Sequence, residues 1–149
     1  MHINPDFYLQ TPQGRIFSEA LNLEAWEQCY RALDDMLMIG TVKKVYLLIG
    51  AQGSGKTTWA KQQYQLEPNC VFFDAILVKK LERKIILDKI NRFDIPCIAV
   101  YFNTSLEECL IRNRQRADDE IVNEQALKNV FQAIEVPQLD EGFESIFYF

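Results

Sequence analysis

Histidine is nearly absent from this chain. The 149 residues hold one, His2, and the four cysteines, Cys29, Cys70, Cys97 and Cys109, stand singly with no C-x-x-C pair. That combination disfavours a zinc site and a disulfide framework, and it fits a reducing compartment. No apolar run approaches the roughly 20 residues of a membrane-spanning helix. Residues 1–6 have neither the basic region nor the apolar core of a secretory signal. A cytoplasmic protein without membrane association is the expectation. Positive charge is not in excess either: 16 Lys and Arg against 21 Asp and Glu give a net charge of −5. This argues against coating long nucleic acid through its phosphates, although basic clusters at Lys79-Lys80 with Arg83-Lys84 and at Arg112-Arg114-Arg116 leave docking of a nucleotide end open.

What the chain does have is 48% hydrophobic residues, enough for one core, and no evident linker, so residues 1–149 read as a single domain. It also has Gly50-Ala51-Gln52-Gly53-Ser54-Gly55-Lys56-Thr57, which spells G-x-x-x-x-G-K-[ST] directly after the apolar run Val45-Tyr46-Leu47-Leu48-Ile49. A strand feeding a glycine-rich turn and then a helix is the arrangement that curls backbone N–H groups around phosphate oxygens. The helix opening at Lys56 adds its positive dipole end. In such a loop Lys56 reaches the β- and γ-phosphates and Thr57 offers its hydroxyl to Mg²⁺. Residues Gly50 to Thr58 are therefore the expected nucleotide cradle, with ATP or GTP and Mg²⁺ as cofactors. The helix continues through Trp59 and Ala60 as its inward residues.

The remaining elements alternate. Residues 7–17 read as two short extended pieces around Pro12-Gln13-Gly14. Asn22 is a plausible N-cap for a helix to about Met38, with Leu23, Trp26, Cys29 or Tyr30, Leu33 and Leu37 at helical spacing and Gly40 as its stop. Residues 1–40 are accordingly expected as an N-terminal helical extension to a nucleotide-binding core at 41–149. Strands follow at 70–74, 96–102 and 144–149; helices follow at 81–92 (Leu81, Ile85, Ile86 and Ile90 inward), after a Thr104 or Ser105 cap, and at about 124–134. The pattern predicts a three-layer α/β P-loop NTPase fold with a mostly parallel sheet of about four core strands. Ligands in such sheets sit at the carboxyl ends of the strands, where Asp74 emerges. A carboxylate there can hold Mg²⁺ with Thr57 or take a proton from an acceptor hydroxyl. Arg112 and Arg116, with Arg114 between them, are suited to charge on a transferring phosphoryl group, although a solvated helix end carries cations as well.

Taken together, the segments 50–60, Phe73-Asp74-Ala75, 101–116 (Tyr-Phe-Asn-Thr-Ser-Leu-Glu-Glu-Cys-Leu-Ile-Arg-Asn-Arg-Gln-Arg) and Pro137-Gln138-Leu139-Asp140-Glu141-Gly142-Phe143 resemble the P-loop kinases related to polynucleotide 5′-hydroxyl kinase, the AAA-type, zeta-toxin-related group. The resemblance covers residues 45 to 149, about two-thirds of the chain. It implies transfer of the γ-phosphate of Mg·ATP to a hydroxyl acceptor, a nucleic-acid 5′-end, a nucleotide or a small molecule. It also implies an arginine lid at Arg112 and Arg116, with Lys56 and Asp74 in catalytic positions and Thr57 and Asp74 on the metal. ATP is expected over GTP on this ground, and because no Asn-Lys-x-Asp guanine-reading motif is present. The element Glu141-Gly142-Phe143 reads as a turn into the last strand.

Two departures stand out. Members of that family place a further strand, ending in the aspartate that acts as acceptor base, between the P-loop helix and the metal-side strand. Here Lys56 and Asp74 are 18 positions apart, which leaves room for one helix and one strand. Ala75 also replaces a residue type that often bonds near the phosphates. Either Asp74 serves both metal and acceptor, or a carboxylate of the first 40 residues, such as Asp34 or Asp35, folds over the site. The alternatives to a kinase are an ATP-binding regulatory module without an acceptor site and a slow NTP hydrolase.

Overall fold

The computed structural model describes residues 1–149. Its elements run β1 (His2–Ile3), a 3-10 turn at Pro5–Tyr8, β2 (Gln10–Thr11), β3 (Gly14–Arg15), α1 (Glu19–Ile39), β4 (Lys44–Ile49), α2 (Lys56–Leu66), β5 (Cys70–Asp74), α3 (Lys80–Asn91) and β6 (Cys97–Tyr101). There follow α4 (Leu106–Arg114), a 3-10 turn at Asp118–Glu120, α5 (Glu124–Gln132), another at Leu139–Glu141, and β7 (Ser145–Tyr148). Five strands form one sheet in the order β1-β5-β4-β6-β7, parallel throughout, while β2 and β3 make a small separate hairpin.

Side chains alternate across a strand, so each central strand feeds two cores. Val45, Leu47 and Ile49 of β4, with Val71, Phe73, Cys97 and Ala99, pack under α1 and α3. Tyr46 and Leu48, with Phe72, Ile98 and Val100, pack under α2 through Ala60 and Trp59. Continuous apolar strands are what a parallel sheet covered on both faces requires. A third, small cluster of Ala51, Cys109 and Leu127 seats α4 and α5 beside the loop that follows β4.

The expected elements are present, with corrections that have physical causes. The sheet has five strands rather than four, because β1 joins its edge: Phe72 N–H donates to Met1 O, and His2 and Ile3 align with Phe72 and Phe73. Residues 1–40 are thus woven into the sheet as well as supplying a helix. That helix starts at Glu19, not after Asn22, since the Ser18 hydroxyl accepts the Leu21 N–H at 3.2 Å and caps it. Its buried stripe is Ala25, Cys29, Leu33 and Leu37, four residues apart each time, and Leu23 is 61% exposed. Gly40 ends it in the left-handed conformation at φ +79°. Ser105 caps α4, and α5 ends two residues sooner than expected, at Gln132.

The largest correction falls on α3. Its inward residues are Arg83, Ile86, Leu87 and Ile90, whereas Leu81 is 77% exposed and Ile85 half-exposed. Arg83 turns this face inward because Glu141, from the turn before β7, meets its guanidinium in two bonds, Nε–Oε1 at 2.8 Å and Nη2–Oε2 at 3.0 Å. Nη1 donates to the carbonyls of Leu77 and Val78. The guanidinium is fully buried with its hydrogen-bonding capacity largely used, which is the condition under which a charge survives in a core. Gly142, at φ +115°, then reverses the chain so that the buried Phe143 leads into β7.

Removing one partner of such a pair strands the other charge. Arg83→Ala is expected to lower unfolding free energy by about 3–5 kcal/mol, read as an earlier urea midpoint. The double variant Arg83→Met/Glu141→Leu is expected to recover most of that loss.

Candidate functional site

At the carboxyl end of β4 the chain turns through Gly50–Gly55 into α2. Glycine is needed here for two different reasons. Gly53 and Gly55 adopt φ +79° and +105°, the left-handed region that favours residues without a side chain, and Gly55 serves as the N-terminal cap of α2. Gly50 is not in the left-handed region, but a Cβ there would lie 2.7 Å from Ser54 Oγ and 3.1 Å from Phe102 Cβ. The resulting loop leaves the amide N–H groups of Gly53, Gly55, Lys56, Thr57 and Thr58 without any protein acceptor. Five unpaired donors converging at a helix start make a ready anion site.

Lys56 is buried, and its ammonium donates to the carbonyls of Gly50 at 2.8 Å and Ala51 at 2.9 Å. Burial pulls its pKa down, against the charges of Asp74, Cys109 and Asp6, which favour the ammonium. Thr57 donates its hydroxyl to Asp74 Oδ2 at 2.6 Å. Asp74, 1% exposed at the end of β5, also accepts at the same oxygen from Asn4 Nδ2 at 2.9 Å and meets His2 Nε2 at 2.9 Å. Burial pushes its carboxyl upward, but the bonds from His2 and Thr57 and the charge of Lys56 outweigh this and leave it below the usual range. The polar side chains Ser54 Oγ and Gln52 Oε1 are buried without partners.

These residues line one cleft of about 1110 Å³. Gln52 to Thr58, Asp74, Arg112 and Arg116 all line it, whereas Gly50 and Ala51 do not; the carbonyls of these two are held by Lys56. Arg112 rests on Glu108 (2.9 Å) and on Gly53 O (3.3 Å), while Arg116 makes no ion pair. Arg114 turns away to Glu124 and does not line the cleft. Ala75 lines it without a polar group to offer. Asp34 and Asp35 do not reach it: Asp34 pairs with Lys89 of α3 at 2.8 Å, and Asp35 lies on the outer face of α1.

The acid that the first 40 residues do bring to the cleft is Asp6. Asn4, Asp6, Arg15, Phe17 and Trp26 supply a wall of the same cleft. Sequence patterning missed this wall because β1 is two residues long and carries no periodicity. The readable signal was Asn4-Pro5-Asp6, in which Asn4 Oδ1 accepts the Asp6 N–H at 2.8 Å and caps the 3-10 turn. Thr104, read as one of two alternative caps, instead donates to Ser54 O at 2.9 Å and ties the loop to the end of β6.

A parallel sheet ordered in this way around a glycine-rich loop has a counterpart among solved structures. Kti12 of Chaetomium thermophilum, determined in complex with ADP-AlF3, superposes with a TM-score of 0.61 at 14% identity, covering 70% of this chain and 88% of that one. The chain has a P-loop NTPase fold. Neither a protein-family model nor a curated protein sequence matches it. The shared P-loop NTPase architecture accounts for the sheet and the loop.

Asn4 is buried and joins the N-terminal segment to Asp74. Asn4→Ala is expected to cost about 1–3 kcal/mol by leaving Asp74 short of a donor, and to speed amide hydrogen exchange at residues 2–8 before the rest of the sheet. Unchanged exchange there would show that β1 is held without Asn4.

Proposed function

We propose that this protein binds Mg·ATP in the cleft and transfers the γ-phosphoryl group to a hydroxyl acceptor. The observation that carries this is that five free backbone N–H groups, Lys56, Arg112 and Arg116 line one cleft together with the carboxylates of Asp74 and Asp6. The volume supports a second substrate, since typical small-ligand pockets span roughly 300–1,000 Å³ and this one exceeds them. Kti12, a neighbour in fold whose structure is a complex with ADP-AlF3, supports a nucleotide ligand. The resemblance to polynucleotide 5′-hydroxyl kinases supports transfer to a hydroxyl.

The donor set fits Mg²⁺. Thr57 Oγ1 and Asp74 Oδ2 lie 2.6 Å apart at the loop, and Mg²⁺ prefers a few hard oxygen ligands completed by phosphate and water. Bound there, the ion would neutralise charge on the β- and γ-phosphates. Lys56 leaves the carbonyls of Gly50 and Ala51 for a phosphate oxygen, a charge-assisted bond that is the stronger of the two. Arg112 and Arg116 close on the γ-phosphoryl oxygens. The acceptor oxygen forms its bond to phosphorus as the bond to ADP breaks, and the hydroxyl proton passes to a carboxylate. Asp74 stands beside Thr57 at the loop and is assigned to the metal side, and Asp6, whose Oδ1 has no partner, takes the proton. Catalysis is then positioning and charge neutralisation.

The test is incubation of the purified protein with γ-labelled ATP, Mg²⁺ and a panel of hydroxyl compounds. Lys56→Ala is expected to abolish transfer, and Asp74→Asn to cut it at least about a hundredfold, the scale of losing one preorganised charged contact, while a fluorescent ATP analogue still binds the Asp74→Asn protein. ATP binding without transfer to any acceptor would leave a nucleotide-binding module instead of a kinase.

A further inference from the structure

The segment that leaves β5 is bent and tightly held. Leu77 adopts φ +48°, the left-handed region in which a bulky side chain is an outlier, and it is fully buried. Such a conformation persists only where its surroundings fix it. Here the fixing group is Arg83, whose Nη1 donates to the carbonyls of Leu77 at 2.9 Å and Val78 at 3.0 Å. Its other two nitrogens are bonded to Glu141, and Val78 O takes a further bond from the Glu135 N–H at 2.8 Å.

The same segment touches the nucleotide loop at two points. Asp74, at its start, accepts from the Thr57 hydroxyl. Two residues on, Ile76 O accepts the N–H of Gly50 at 3.1 Å, and the Gly50 carbonyl in turn accepts from Lys56 at 2.8 Å. Ala75 and Ile76 also line the cleft. A path of hydrogen bonds therefore runs from Glu141 through Arg83 and the bend to the first residue of the loop.

We infer that Arg83, held by Glu141, is a positioning residue for the nucleotide loop. It fixes the bend at Leu77, the bend aims Ile76 O at Gly50, and Gly50 sets where the loop leaves β4. The inference rests on the nucleotide reading for its consequence in binding and on the bond path for the positioning itself. Stability alone does not require this arrangement. A buried ion pair can be replaced by apolar side chains of similar volume at little or no cost in stability, but no apolar side chain can donate to the two carbonyls. Such a replacement restores the packing and leaves the bend without its clamp.

The test uses Arg83→Met/Glu141→Leu, in which stability and positioning are separated. Two readouts are taken beside thermal melting: exchange of the Gly50 amide by NMR, and titration of the full chain with a fluorescent ATP analogue and Mg²⁺. The variant is expected to melt near the wild-type temperature, yet to exchange Gly50 at least about tenfold faster while the β4 amides keep their protection. It is also expected to bind the analogue about tenfold more weakly, the scale of losing one charge-assisted hydrogen bond. Arg83→Lys serves if the double variant fails to fold: it keeps a cation for Glu141 but not the planar fork that reaches both carbonyls, and the same two changes are expected. Unchanged Gly50 exchange, unchanged analogue affinity, or faster exchange spread evenly over the sheet would each overturn the inference. If the wild-type chain does not bind the analogue, the nucleotide reading falls and Gly50 exchange alone decides the positioning. Binding without label transfer to any acceptor removes only the phosphotransfer step.

Discussion

Asp74 Oδ2 is the point at which three separate stretches of chain meet. Thr57 reaches it from the start of α2, Asn4 and His2 from the N-terminal strand, and the carboxylate itself ends β5. A carboxylate this deeply buried is costly unless its oxygens are bonded, so the three partners are held as firmly to Asp74 as Asp74 is to them. The direction of its pKa, below the usual range despite burial, reflects the same balance. One consequence is that the opening turn of α2, with its free N–H groups, is fixed against the sheet. Another is that the N-terminal segment, tied through His2 and Asn4, cannot drift from it.

The position of that segment follows from strand register. Parallel pairing sets Ile3 beside Phe73, so the chain leaving β1 emerges at the same end of the sheet as Asp74, one residue behind in step. Asn4 and Asp6 must therefore appear at the carboxyl ends of the strands, where ligands bind in open α/β sheets. A strand of two residues is enough, because Phe72 N–H and Met1 O extend the ladder and Ile3 is buried in the main core. The chain thus fills the sheet edge beside β5 from its first residues rather than from a segment between α2 and β5, where 18 positions leave no room for another strand.

What was legible in the sequence was local. The loop at 50–57, the apolar runs of β4, β5 and β6, and the Asp at the end of β5 declare themselves within a few residues, since strand, turn and helix-cap chemistry act at short range. What escaped depended on partners far along the chain. Arg83 looks like one charge in a basic cluster until Glu141, 58 positions away, is placed beside it. Its burial then rotates α3 and sends Leu81 and Ile85 outward, against their hydrophobicity. Asp6 escaped for a related reason: Asp34 and Asp35 sit on the clear helical pattern of α1, while the short 3-10 turn that carries Asp6 has none.

The net charge of −5 also concealed the site's polarity. Averaged over the surface, acidic residues exceed basic ones, yet Lys56, Arg112 and Arg116 gather at the loop where the backbone adds its own donors. Two of these cations already rest on loop carbonyls, Lys56 on Gly50 and Ala51, Arg112 on Gly53. Those bonds keep buried or crowded cations satisfied and hold the loop open around its N–H groups. A phosphate that draws the cations away also frees the carbonyls, so binding energy at this wall is partly spent on rearranging two side chains. Arg15, which lines the same cleft, rests on carboxylates instead, Asp6 at 3.1 Å and Glu120 at 3.3 Å.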